Sequence, residues 1–127
     1  MTALADPGAG KESKAADALL ICTPEYAGAM PAVLKNLLEW TIGDASTYEK
    51  PVAWINASSS ASPTGGADAH DSLRKVLTYA HAEIVEAACA RIPLSRGHVG
   101  ASGLVEDADA RKAIAAAVDA LAEHVRS

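Results

Sequence analysis

Phenylalanine is absent, and the aromatic complement is two Trp and three Tyr. The core must therefore come from aliphatic side chains, and half of the 127 residues are hydrophobic, enough for one domain and too few for two. Cysteine is scarce as well. Cys22 and Cys89 stand far apart without CxxC or Cys/His spacing, which excludes a disulfide framework or a zinc ribbon, and both read as reduced core residues within apolar runs. No dense Lys/Arg patch occurs and the net charge is −5, so nucleic acid and anionic membrane surfaces are not expected partners. No apolar run approaches the roughly 20 residues of a membrane-spanning helix. The N-terminal MTALADPGAGKESKAAD also lacks the apolar centre of a secretory signal, so a cytoplasmic protein is expected. Ser58, Ser59, Ser60 and Ser62 have no G-x-S-x-G elbow around them, which argues against hydrolase chemistry. His70, His81, His98 and His124 are scattered without ligand spacing, and no metal site is expected.

What is present is organised around the stretch Asp17 to Trp40. Residues 18–22 form a continuous apolar run that fits a strand buried on both faces of a parallel sheet. Thr23 and Pro24 end it. Downstream, Met30, Val33, Leu34, Leu37 and Leu38 recur at helical spacing, with Lys35, Asn36 and Glu39 on the other side and Pro31 at a first-turn position. Between strand and helix, Gly28 and its neighbouring alanines leave backbone N–H groups open to a flat or anionic ligand. In open α/β sheets ligands bind at the carboxyl ends of strands, where this loop lies.

Residues 1–16 read as a flexible lead-in and 17–127 as the domain. Thr41 to Lys50 reads as a loop, and residues 51–55 as a second buried strand with Pro51 at its first position. Asn56 to Gly66, NASSSASPTGG, is a second small-residue loop at a strand's carboxyl end, so the two loops are expected to form a cleft. A helix follows with Leu73, Val76, Leu77 and Ala80 on one face; Glu83 to Leu94 is a third strand region. Asp107 and Asp109 place negative charge at the start of a final helix, whose expected buried stripe is Ile114, Val118, Leu121 and Val125. Trp40 and Trp54 read as packing residues, either of which could reach a subunit interface. Glu25 reads as a brace for its loop, and Tyr26 as a cover for a bound ring or a plug for the cleft.

The run TPEYAGAMPAVLKNLLEW resembles the T-P-E-Y-N-x-x-x-P-x-x-L-K-N-x-x-D-W signature of the NADPH-dependent FMN reductases, flavodoxin-like flavoproteins. A second resemblance covers Gly65, Gly66, Ala69, Leu73, Arg74, Val76 and Leu77. The resemblance implies a flavodoxin-like α/β fold with three parallel strands in this chain. It also implies FMN and NAD(P)H as cofactors and hydride transfer to a quinone, metal, azo or flavin acceptor. By the same resemblance, main-chain groups of Pro24, Glu25, Tyr26 and Ala27 lie along the FMN ring, with Ser58, Gly65 and Gly66 on its other side. Ala27 stands in place of the usual Asn, Glu39 in place of Asp, and Asp68 where Arg is common. The family's first strand, its G-S-x-R-x-x-S-x-N phosphate loop, the helix and the second strand have no counterpart in this sequence. The expectation is therefore the later part of the family's domain, with an exposed first strand and a homo-oligomer as one means of completing the sheet. A non-catalytic module that does not retain FMN is the alternative.

Overall fold

The computed structural model describes residues 12–59 and 61–127. Most of the expected lead-in, and Ser60, lie outside the described residues. Residues 12–15 are helical. The elements that follow are β1 (Leu19–Thr23), α1 (Ala32–Gly43), β2 (Pro51–Ser58), α2 (Ala67–Tyr79), β3 (Glu83–Ile84), β4 (Ala90–Pro93) and α3 (Ala108–Arg126).

The strand β2 is the centre of a parallel sheet. On one side β1 pairs with it from Leu19↔Val52 to Thr23↔Asn56. On the other, β3 takes its start and β4 its end, from Ile55↔Ala90 to Ser58↔Pro93. Side chains alternate along β2, so successive residues serve opposite layers. Val52 and Trp54 meet Met30, Leu38, Leu73 and Leu77 in the layer of α1 and α2. Ala53 and Ile55 face the other way, joining Val85, Ala88 and Leu121, and Ile92, Ala110 and Ala117, beneath α3.

Several expectations change. The third strand region is two short strands, because Glu86–Ala88 form a 3₁₀ turn between them, so the sheet has four strands rather than three. Glu and Ala are weak strand formers, and the turn seats Ala88, fully buried, against α3. The run at residues 18–22 is an edge strand, as the resemblance implies, with β2 as its one partner among the described residues, but its side chains are half-buried or exposed rather than fully buried on both faces. Cys22 on that edge is exposed rather than in the core, and Cys89 is half-buried. Helix α1 runs on through Thr41 to Gly43, burying Thr41, whose hydroxyl donates to the Leu38 carbonyl at 2.7 Å, while Val33 is exposed. The α3 stripe is Ala110, Ala117 and Leu121, not Val118 and Val125. Alanine lets the helix approach the sheet closely; Val118 and Val125 instead line a groove of about 350 Å³ with Ala18 and Leu20.

The α2 stripe is as expected, with Leu73, Leu77 and Ala80 buried, and Asp107 caps α3 by accepting from the Ala110 N–H at 2.9 Å. Trp54 is fully buried, and its indole N–H donates to His70 Nδ1 at 2.9 Å. The rings meet edge-on at 5.0 Å, and the Arg74 guanidinium lies 5.4 Å from the indole. This hydrogen bond needs a neutral imidazole with its proton on Nε2. Burial pushes the His70 pKa below the ordinary range, and Arg74 and Arg91 push it the same way against Glu86 and Asp71.

The unfolded chain takes up the His70 proton near pH 6.5, whereas the folded chain takes it up at lower pH. The contribution of the Trp54–His70 bond is accordingly whole above that pH and lost as the pH falls below it. Thermal melts of the wild type will show a fall in melting temperature on acidification below about pH 6.5, and His70→Gln will remove that component of the fall. A pH profile unchanged by the substitution would refute the assignment.

Candidate functional site

The carboxyl ends of β1 and β2 carry the two expected loops. In the first, the Tyr26 N–H donates to the Ala29 carbonyl at 2.9 Å and the Ala29 N–H returns to the Tyr26 carbonyl at 3.1 Å. The two residues between them both have positive φ, 50° at Ala27 and 75° at Gly28, as a type I′ turn requires. Asn-Gly is the preferred pair for such a turn, because Asn tolerates the left-handed region better than Ala. The Ala27 and Gly28 amides donate to no backbone or side-chain acceptor among the described residues. They form the tip of a small, projecting donor pair.

Glu25 fixes where that tip stands. One carboxylate oxygen accepts from the Thr64 hydroxyl and the other from the Ala69 N–H at 2.9 Å, in the first turn of α2. A side chain from the first loop thus caps the helix that follows the second. A further link runs from the Met30 N–H to the Ser72 hydroxyl at 3.3 Å. The Thr64 bond, with the Ala69 amide behind it, holds the Glu25 pKa below the usual carboxylate value against the opposing effect of desolvation. Glu25 is therefore ionised and engaged, which bears out its role as a brace. Tyr26 is 62% exposed and does not plug the cleft.

In the second loop, Gly65 and Gly66 have φ of 59° and 87°. Gly66 lies directly over Asn56, where a Cβ would stand 1.9 Å from Oδ1. Asn56 is fully buried, and neither end of its amide has a hydrogen-bond partner among the described residues. Ser58 ends β2, is buried, and accepts the Leu94 N–H on its carbonyl at 2.7 Å. It faces the β4 side of the loop, apart from residues 24–27. The structure thus brings Glu25 beside the turn that carries Gly65 and Gly66, while Ser58 and Gly65 together line a cleft on the β4 side of that turn. Thr64 and Asn56 escaped the sequence reading; a lone amide within the apolar run of β2 was the available signal for Asn56.

A parallel sheet covered by helices on both faces, with two small-residue loops at its carboxyl edge, defines a flavodoxin-like α/β protein. The sequence model of the family described as NADPH-dependent FMN reductase matches residues 9–94, and the chain belongs to that family. It is 36% identical over 114 residues to a 2-hydroxy-1,4-benzoquinone reductase of a Burkholderia species, covering 87% of this chain and 61% of that protein. An NAD(P)H-dependent FMN reductase of Pseudomonas aeruginosa is 32% identical over 118 residues, covering 91% of this chain and 63% of the relative. Among solved structures, the flavoenzyme NAD(P)H:(acceptor) oxidoreductase FerB of Paracoccus denitrificans superposes with a TM-score of 0.78 at 28% identity, over 92% of this chain and 65% of its own. These matches bear out the flavodoxin-like fold class. The chain spans about three-fifths of the length of the two curated relatives.

Removing the Glu25 carboxylate strands the Ala69 N–H and the Thr64 hydroxyl together. Glu25→Ala is expected to destabilise the fold by about 1–2 kcal/mol and Glu25→Gln by less, since the amide oxygen still accepts; urea denaturation measures both. Ala27→Asn is expected to stabilise by about 0.5–1 kcal/mol, because Asn is better suited to the positive φ. A loss of stability in that variant would refute the turn assignment.

Proposed function

We propose that this chain supplies the ring-binding cleft of an NAD(P)H-dependent FMN reductase, which passes hydride through FMN to a small-molecule acceptor of the quinone, metal, azo or flavin type. The observation that carries the reading is the projecting turn at Tyr26–Ala29, whose open amides at Ala27 and Gly28 are held in place by Glu25. These features suit the flat, acceptor-edged ring of FMN: two N–H donors, no bulky side chain at the turn, and a tyrosine free to lie over a ring face. On this reading Pro24, Glu25, Tyr26 and Ala27 line one side of the ring through their main chain, and Gly65 and Gly66 approach the other. Ser58 takes part from the β4 side of its loop.

FMN, when bound, supplies the redox chemistry. The residues of this chain bind and orient. Ala27 and Gly28 donate hydrogen bonds, Tyr26 shields, and Gly66 permits the close approach of the second loop to β2. Glu25 moves no proton, because both of its oxygens are already engaged.

The domain is proposed to extend over residues 17–127, with residues 1–16 as lead-in. Among the described residues no helix is long and apolar enough to cross a membrane. A cytoplasmic location and a homo-oligomer complete the proposal. Trp40 and Ile42, 57% and 47% exposed on α1, are an apolar surface suited to subunit contact. Acidic charge overall and the lack of a dense basic patch favour neither nucleic acid nor membrane as a partner.

A second reading is favoured by one residue, Ala27, which offers a ring no side-chain amide where the signature has Asn. It is a module that keeps the sheet and loops without retaining FMN. The near-ultraviolet and visible absorbance of the purified chain, with added FMN and then anaerobic NADPH, separates the two. A bound-flavin spectrum that bleaches on NADPH addition is expected for the reductase. An FMN spectrum and fluorescence unaffected by the protein would overturn that reading for this chain.

A further inference from the structure

A second cleft opens on the β4 side of the 59–66 loop, away from the Tyr26–Ala29 turn. It encloses about 460 Å³ and is lined by Ser58, Ser59, Ser62, Gly65, Arg91 and Pro93. Its polar side chains are hydroxyls and one guanidinium. None is acidic. Arg91 is paired in register with Asn56 and lies over the loop, its Nη1 donating to the Thr64 carbonyl at 3.3 Å and standing 3.8 Å from where a Gly65 Cβ would be. The guanidinium retains further donors after that bond. Among the described residues it forms no ion pair, whereas Arg74 in the same layer is engaged by Glu86 at 2.7 Å.

The hydroxyls are similarly free to donate. Ser59 Oγ accepts from the Ala61 N–H at 3.0 Å, which leaves its proton available, and no described group bonds the hydroxyls of Ser58 or Ser62. A cleft with one unpaired cation and several hydroxyl donors, in a chain of net charge −5, is suited to an anion. It is poorly suited to a metal ion or to an apolar group.

We propose that this cleft is an anion subsite in which Arg91, with Ser58, Ser59 and Ser62, receives a phosphate or carboxylate group. The identification of its natural source rests on the reductase reading: that group is either the 2′-phosphate of NADPH or an acidic substituent of the electron acceptor. The anion site itself does not depend on the reading. Arg91 bonds the same loop that bears Gly65 and Gly66, so an anion held there lies next to the cleft proposed for the flavin ring. By discriminating at this point the chain selects among nucleotides or acceptors without touching the reacting atoms.

Inorganic phosphate is the probe for the site, added to the isotope-labelled chain while amide resonances are followed, with chloride at matched ionic strength as control. Saturable shifts of the Ser62 and Gly65 amides with phosphate alone are expected. Apparent affinity should fall about tenfold in Arg91→Gln, as loss of a charge-assisted contact implies, and largely persist in Arg91→Lys. Ser62→Ala provides a second, smaller loss that does not depend on the arginine. Absence of those shifts, or equal shifts in the folded Arg91→Gln chain, would overturn the proposal.

The flavin-loaded chain then distinguishes the sources. A rise in KM for NADPH with KM for NADH unchanged in Arg91→Gln assigns the 2′-phosphate. A rise confined to a carboxylated quinone, with its neutral parent unaffected, assigns the acceptor. No change in any of these would overturn the link to the reductase ligands. A chain that takes up no FMN but still shows Arg91-dependent phosphate shifts would sink the reductase reading alone.

Discussion

Burial of β2 on both faces is the constraint on which this structure depends. Val52 and Trp54 must be covered by α1 and α2, Ala53 and Ile55 by α3, and β1 and β4 satisfy the backbone on either side. Each fully buried large aliphatic or aromatic side chain contributes about 1.5–3 kcal/mol, so the placement of Trp54, Leu73 and Leu77 alone fixes α2 against the sheet. The carboxyl end of the same strand departs from this pattern. There the side chains become Asn56 and Ser58, and the helix layer gives way to loops. The strand thus passes from apolar to polar side chains within two residues.

The loops gain their relative position from charge and hydrogen bonding rather than from apolar packing. Glu25 reaches from one loop to the start of α2, where an ionised carboxylate is favoured by both the open amides and the helix macrodipole. The cleft is consequently shaped by a polar tie across its mouth. The Trp54–His70 bond is a second tie, from the core of β2 to the same first turns of α2. Positioning of the site therefore depends on two hydrogen-bonding groups of opposite acid–base character, one stabilised as an anion and the other as a neutral ring.

Much of this was legible in the sequence. The continuous apolar runs at β1 and β2, the period of α2 and the Asp107 cap follow from side-chain pattern alone, and the P-E-Y run identified the loop and the family. The bracing role of Glu25 was legible too. Other features depend on tertiary partners that no local pattern states. The stripe of α3 is set by how closely Ala110 and Ala117 can approach the sheet, so the larger Val118 and Val125 lose to alanine. The break between β3 and β4 arises because Ala88 packs beneath α3, which a strand pattern through Cys89 and Ile92 conceals. Asn56 and Arg91, adjacent across two strands, are far apart in the chain and became a pair only through register.

The contrast between the two cysteines has a practical consequence. Cys22 lies exposed on β1, two residues before Pro24, while the Cys89 thiol donates to the Val85 carbonyl at 3.5 Å and burial pushes its pKa up. Thiol reagents react through the thiolate and need access, so the wild-type chain offers one favoured attachment point. A fluorophore or spin label carried at Cys22 reports from the root of the 24–29 loop without any engineered substitution. The molecule thereby holds its own spectroscopic observation post at the edge of the cleft.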